Sequence, residues 1–256
     1  MSDFSNLASR FQFGSTRWSM VLDAGKVQGD SAAAARNELL VHYHDAVYRY
    51  LVVKLGDPDA AGELFSRFAE RVLEIHPFLQ RADPEKGRFR DYLRAVLSRM
   101  VIDWYRQQAK APQSLPDEAD PTQPETSATE EAEFRKLWTE ELMNHAWRGL
   151  EEIERTKGRP YHSLLLYKAQ NPKVRSEAMA RHFTTVLGQQ FTADNIRKLL
   201  QRGHELLNDL LVEEVARSLK REPNEIVTID RIEEEMVELQ LLDAPRRAAL
   251  DRYRQQ

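Results

Sequence analysis

Apolar side chains recur at three- and four-residue intervals along most of this chain of 256 residues, and the alternating pattern of a half-buried strand is almost missing. Ser31 caps a long helix carrying Ala33, Leu39, Leu40, Tyr43, Val47, Tyr50 and Leu51. Gly56-Asp57-Pro58-Asp59 breaks it. A second helix holds Leu64, Phe65, Phe68, Val72 and Leu73, and ends at His76-Pro77, because the residue before a proline avoids helical backbone. The stretch Ala82-Asp83-Pro84-Glu85-Lys86-Gly87 has the composition of a turn. A third helix over 89–108 carries Phe89, Tyr92, Leu93, Val96, Leu97, Met100, Val101 and Trp104.

The pattern then stops. Residues 111–129 are rich in Pro, Ser, Thr and acids and hold hardly an apolar side chain, so they cannot bury enough surface to offset ordering. Helical spacing resumes with Phe134, Leu137, Trp138, Leu142, Ala146 and Leu150. Further helices are predicted over 161–168, over 176–187, and from Thr192 past Ser218. Ile229, Ile232, Met236 and Leu239 continue the period into an acidic extension. The expected fold is all-α. A first helical domain spans 1–110, a flexible acidic linker 111–129, a second domain 130–220 with a helix-turn-helix, and a helical extension 221–256.

Composition supports this and removes some chemistry. The chain has 10 Gly, 11 Pro and no Cys, which excludes disulfides and thiolate metal sites and fits a reducing cytoplasm. No apolar run approaches a membrane span, and the first residues lack the basic and apolar blocks of a signal peptide. His42 and His44 are two apart and cannot share a helix face, so no metal site is expected there. No phosphate-cradling glycine loop, nucleophile elbow or singled-out acid–base pair is present, so neither an enzyme nor a cofactor is expected.

The formal net charge of -4 conceals segregation. Residues 155–204 hold ten basic residues against Glu177 and Asp194, a net of +8; residues 80–110 hold eight against four, a net of +4. Residues 111–131 carry six acids and no base. Two basic blocks separated by an acidic stretch suit two surfaces that face a polyanion.

The segment from Thr192 reads as a helix made for a DNA groove. Thr192 is a helix cap, Asp194 favours the positive helix end, and Ile196, Leu199, Leu200, Leu206, Leu207, Leu210 and Leu211 form one apolar stripe. Asn195, Arg197, Lys198 and Arg202 fall largely off that stripe, and Asn and Arg near a helix start make bidentate bonds to purines. The preceding helix Ser176-Glu177-Ala178-Met179-Ala180-Arg181-His182-Phe183 completes the order of a helix-turn-helix, although a connection over 184–191 is long for that motif. In the first basic block Arg88, Arg90, Tyr92, Arg94, Arg99, Trp104, Tyr105 and Arg106 interleave cations with aromatics, the mixture that holds an opened strand.

These stretches resemble a known family, the extracytoplasmic-function-type sigma factors of bacterial RNA polymerase, and within it a paralogous group common in planctomycetes. The resemblance is carried by Arg81-Ala82-Asp83-Pro84-Glu85-Lys86-Gly87-Arg88-Phe89-Arg90-Asp91-Tyr92, Ile102-Asp103-Trp104-Tyr105-Arg106-Gln107-Gln108, Phe134-Arg135-Lys136-Leu137-Trp138-Thr139-Glu140-Glu141-Leu142, residues 192–204 and residues 210–219, in that order. It implies a first domain that binds core RNA polymerase and melts promoter DNA, capturing the non-template strand between the turn 83–88 and the helix 89–106. It implies a second domain that sets a helix-turn-helix on the upstream promoter element. The implied polymerase-binding residues are Glu63, Leu64, Arg67 and Phe68. Promoter DNA and core polymerase are the implied partners, an anti-sigma protein a further one, and the free protein is expected as a cytoplasmic monomer.

Two departures from the family pattern matter. Its polymerase-contacting helix usually reads Asp-Leu-x-Gln, and here Glu63 and Ser66 stand at the Asp and Gln positions. Leu199-Leu200-Gln201 and Gly203-His204 stand where relatives are often more basic. The alternative reading is therefore a degenerate sigma-like module that binds a partner without initiating transcription.

Overall fold

A computed structural model describes residues 18–26, 30–74, 77–108, 128–220 and 225–255. Among these residues the regular structure is helical and no strand is present, as the apolar spacing predicts. The described residues divide into two compact units: those from 18 to 141 with those from 216 to 231, and those from 142 to 215 with those from 232 to 255.

The first unit is built on α1 (Trp18–Ala24), α2 (Asp30–Leu55), α3 (Pro58–Leu73) and α4 (Phe89–Gln108). The break between α2 and α3 follows the predicted chemistry. Gly56 adopts a φ of 67°, Pro58 occupies the first turn of α3, and the Asp57 carboxylate accepts from the Asp59 N–H at 2.9 Å. Leu39, Tyr43, Val47, Tyr50 and Leu51 of α2 are buried, as are Leu64, Phe68 and Val72 of α3 and Phe89, Leu93, Leu97, Met100 and Trp104 of α4. A hydrogen bond of 3.0 Å between the Tyr50 hydroxyl and Ser98 Oγ satisfies both groups inside that core.

The expected domain boundary at residue 130 falls elsewhere. The helix α5 (Ala128–Lys157) starts two residues earlier, and its residues up to Glu141 belong to the first unit. Trp138 stacks on Tyr43 with centroids 5.3 Å apart, and Phe134 meets Tyr50 edge-on at 5.3 Å. Lys54 Nζ donates to Glu130 Oε1 at 3.0 Å and to Glu133 Oε2 at 3.1 Å, and Arg94 pairs with Glu131 at 2.9 Å. Burial opposes the charge on Lys54, but the two carboxylates outweigh it and hold the ammonium above its usual range. Aromatic burial thus assigns the head of α5 to the first unit, although the composition shift that marks the predicted linker precedes it. Residues 111–127 of that linker lie outside the described residues.

The second unit takes α5 from Leu142, then α6 (Tyr161–Gln170), α7 (Ser176–Leu187), α8 (Ala193–Leu219) to Val215, α9 (Ile229–Glu238) from Ile232, and α10 (Ala244–Arg254). Leu164, Met179, Ala180, Phe183 and Ile196 form the core that joins α6, α7 and α8, with Tyr167, Val174, Phe191, Leu199 and Leu200 packed on it. Gly203 of α8 faces α6 closely: a Cβ there would come into van der Waals contact with the Leu165 side chain at 3.4 Å and with Tyr161 at 3.6 Å.

The extension carries two helices, an acidic α9 and a basic α10. Gln240 at a φ of 57° ends α9, and the Asp243 carboxylate caps α10 by accepting from the Arg246 N–H at 3.0 Å. The last helix carries Arg246, Arg247, Arg252 and Arg254 against Asp251 alone. Arg252 reaches α8, donating from Nε and Nη2 to Asp209 Oδ1 at 3.0 and 2.6 Å, and Arg247 pairs with Glu233 of α9 at 2.9 Å. Burial pushes the Asp209 carboxyl up and Arg252 opposes the rise. A folded pKa above the unfolded one means that protonated Asp209 favours the folded state, an advantage lost as pH climbs through the folded value. Arg252→Ala removes the opposing cation, so it is expected to cost about 1 kcal/mol at pH 7, where the carboxylate is left ionised, and less in mildly acid buffer. Urea melts at the two pH values read this, and an equal penalty at both would show that Asp209 is not its source.

Candidate nucleic-acid interface

The first turns of α8 are set by the chemistry at their start. Thr192 Oγ1 accepts from the Asn195 N–H at 3.2 Å and its hydroxyl donates to Asn195 Oδ1 at 2.7 Å, while the Thr192 N–H reaches the same oxygen at 3.4 Å. This reciprocal pair fixes the helix start. Asn195 is exposed, and its carbonyl oxygen is engaged in this cap. Ile196 is fully buried, with Leu199 and Leu200 half-buried beside it. Asp194, Arg197, Lys198, Gln201 and Arg202 are exposed. Asp194 sits against two of these cations, 2.9 Å from Lys198 Nζ and 3.6 Å from Arg197 Nη2. The Lys198 hydrogen bond and charge, then Arg197, hold its carboxyl below the usual range.

The helix before it extends to Leu187, so the connection is shorter than the expected 184–191. Gly188 ends α7 at a φ of 64°, and the Phe191 N–H donates to Thr184 Oγ1 at 2.9 Å. Five residues, 188–192, link the two helices. Beside them Lys173, Arg175 and Arg181 are exposed and, with Arg202, carry no ion-pair partner among the described residues. Lys168 is different: its ammonium donates to the carbonyls of Pro172 and Val174 at 2.8 Å and ties the α6–α7 turn. An unanticipated feature lies on the same unit. The exposed His182 ring stacks on Tyr167 at 4.4 Å with an interplanar angle of 19°. No sequence signal pairs these two, because they lie on different helices.

In the first unit the aromatic and arginine residues separate by burial. Trp104 is only 7% exposed and lies under the Arg67 guanidinium, 4.9 Å from its ring centroid. Arg90 and Arg94 are also buried, so these three belong to the interior and cannot meet an unstacked base directly. Tyr92 is half-buried and donates its hydroxyl to the Phe78 carbonyl. Arg88 and Arg99 are half-buried. Tyr105 is exposed with its hydroxyl donating to the Lys54 carbonyl at 2.9 Å, and the exposed Arg106 lies 3.7 Å from Asp103.

A concavity of about 540 Å³ opens at the predicted turn, lined by Leu22, Gln80, Arg81, Ala82, Asp83, Pro84 and Lys86. Pro84–Lys86 forms one short 3-10 turn, the Asp83 carboxylate accepts from the Glu85 N–H at 2.9 Å, and Gly87 takes a φ of 138°, a backbone region closed to side chains. Arg81, Lys86 and Leu22 enter the site here. The turn was legible, but Leu22 comes from α1, which only the tertiary fold brings near.

Of the four residues expected to meet polymerase, Leu64 and Phe68 are buried at 2% and 1% exposure and face the core of their own unit. The solvent side of α3 is Glu63, which pairs with Arg67 at 2.8 Å, and Arg67 also donates to Gln107 at 2.9 Å. Next to them an apolar groove of about 360 Å³ runs between α2 and α3, lined by Leu40, Val41, His44, Asp45, Phe65 and Ala69. His44 meets Phe65 edge-on at 4.8 Å there. Apolar spacing alone placed Phe65 inside with its neighbours.

Among the described residues no helix is long and apolar enough to cross a membrane. The chain matches no family model, no curated protein and no solved structure.

Proposed function

We propose that this chain is a transcription initiation factor of the sigma type, which joins core RNA polymerase, seats a helix-turn-helix on promoter duplex and holds an opened strand. One observation carries the reading. The leading half of α8 is anchored by Ile196 in a three-helix core while its outer face presents Arg197, Lys198 and Arg202, together with the exposed cations Lys173, Arg175 and Arg181, which have no ion-pair partner among the described residues. A helix held by its back with cations forward is the layout that enters a major groove, and the surrounding cations suit backbone phosphates. The concavity at Arg81 and Lys86 supports strand capture, because it combines charge for phosphate with an apolar wall for a base. The groove at Val41 and Phe65, beside Glu63 and Arg67, is the apolar surface that polymerase would cover. This function places the protein in the cytoplasm.

In this reading phosphate contacts give salt-dependent affinity, α8 gives sequence choice, and the first unit keeps the strands apart. The test is transcription in vitro from a promoter library with core polymerase, with and without the full chain. Initiation from a subset of promoters only when the chain is present is the expected result. Retention of the chain by polymerase without any new transcript would assign it to the partner-binding alternative, and no retention would remove both.

A further inference from the structure

One acid of the proposed reading helix, Asp194, stands among the cations of its leading face. Residues 155–204 hold two acids, and Asp194 stands in the first turn of α8, on the same exposed face as Arg197, Lys198 and Gln201 at helical spacing. Its side chain remains 57% exposed while it holds the Lys198 ammonium at 2.9 Å and the Arg197 guanidinium at 3.6 Å. Three consequences follow. Two of the foremost cations on the face are engaged within the protein before DNA arrives. The carboxylate itself repels phosphate, and a like charge set against a polyanion is a means of rejecting wrong partners. Finally, a carboxylate brought to a base edge can accept from an exocyclic amino group, and cytosine N4 is the major-groove donor with no acceptor beside it on the same base.

We infer that Asp194 is a specificity-determining residue, which penalises binding to DNA in general and is compensated where a cytosine presents its N4 amino group to the first turn of α8. The inference rests on the reading of α8 as a base-facing helix. The helix start does not need this carboxylate, because Thr192 and Asn195 already satisfy it. The pairs are surface pairs and contribute little to stability. Their effect is on what the face offers to a ligand.

The experiment compares the full wild-type chain with Asp194→Asn and Asp194→Ser, the second variant keeping a good first-turn residue without the charge. Affinity for a random-sequence duplex is measured over a series of salt concentrations, and bound duplexes are then selected from a randomised pool. Both variants are expected to bind the random duplex about fivefold more tightly, the order of one water-screened charge pair at contact distance. The salt dependence should steepen by about one counterion as a released cation takes a phosphate. Wild-type selection should enrich one cytosine column that both variants lose. Unchanged affinity on the random duplex with the same selected column would overturn the inference and leave DNA binding by α8 intact. Weaker binding by both variants, with wild-type melting temperatures, would also overturn it, since the carboxylate would then assist binding. Failure of wild type and variants alike to bind any duplex at low salt would overturn the DNA-binding reading itself, and this inference with it.

Discussion

Replacing Trp104 by alanine is expected to destabilise the first unit by about 3–5 kcal/mol, the range for truncation of a large buried aromatic. The ring is 7% exposed, packs among the side chains of α4 and its neighbours, and carries the Arg67 guanidinium on its face at 4.9 Å. The variant loses both the apolar burial and the platform that orients Arg67 toward Glu63 and Gln107. Tyr105→Ala, one residue on, should cost no more than about 1 kcal/mol, because that ring is half exposed and gives up a single hydrogen bond to the Lys54 carbonyl. Thermal unfolding of the full chain separates the two. A Trp104→Ala protein that melts with wild type would show that the ring is dispensable to the core. Strand-capture experiments should accordingly use Tyr105, Arg81 and Lys86, where substitution leaves the fold standing.

Ile196→Ala is the second large effect, at about 2–5 kcal/mol. Ile196 is fully buried in the cluster of Leu164, Met179, Ala180 and Phe183, and it is the residue that fixes the leading turn of α8 to α6 and α7. The adjacent Arg197→Ala is expected within about 0.5 kcal/mol of wild type, as for most exposed positions. Hydrogen exchange resolves the contrast: Ile196→Ala should lose protection across α7 and the first half of α8, while Arg197→Ala keeps it and changes only ligand binding. Full protection in Ile196→Ala would mean that the three-helix core does not depend on this anchor.

Much of the fold was legible because its signal is local. The period of 3.6, the Gly56–Asp59 break, the turn at Asp83–Gly87 and the cap at Thr192 are each decided by a few neighbouring residues, and each appears where expected. The departures share a different cause. The head of α5 was assigned to the second domain because the composition shift precedes it, but Phe134 and Trp138 find their partners on Tyr50 and Tyr43, about ninety residues away. Arginine is usually a surface cation, but the structure buries both Arg90 and Arg94. Asn195 lies three residues after Thr192, and its carbonyl oxygen takes part in the cap while the residue stays exposed.

Residue type and short-range spacing are enough to make this chain helical, to place most of its helix starts and stops, and to concentrate its positive charge in two blocks. Tertiary structure decided which of those charges face solvent. A helix of amphipathic sequence shows which stripe is apolar, but whether a cation beside that stripe is covered depends on the neighbour that packs there. That is why Arg197, Lys198 and Arg202 remain outward while Arg94, paired with Glu131, is buried. It is also why Leu22, Arg81 and Lys86, from separate elements, line one concavity that no reading along the chain assembles.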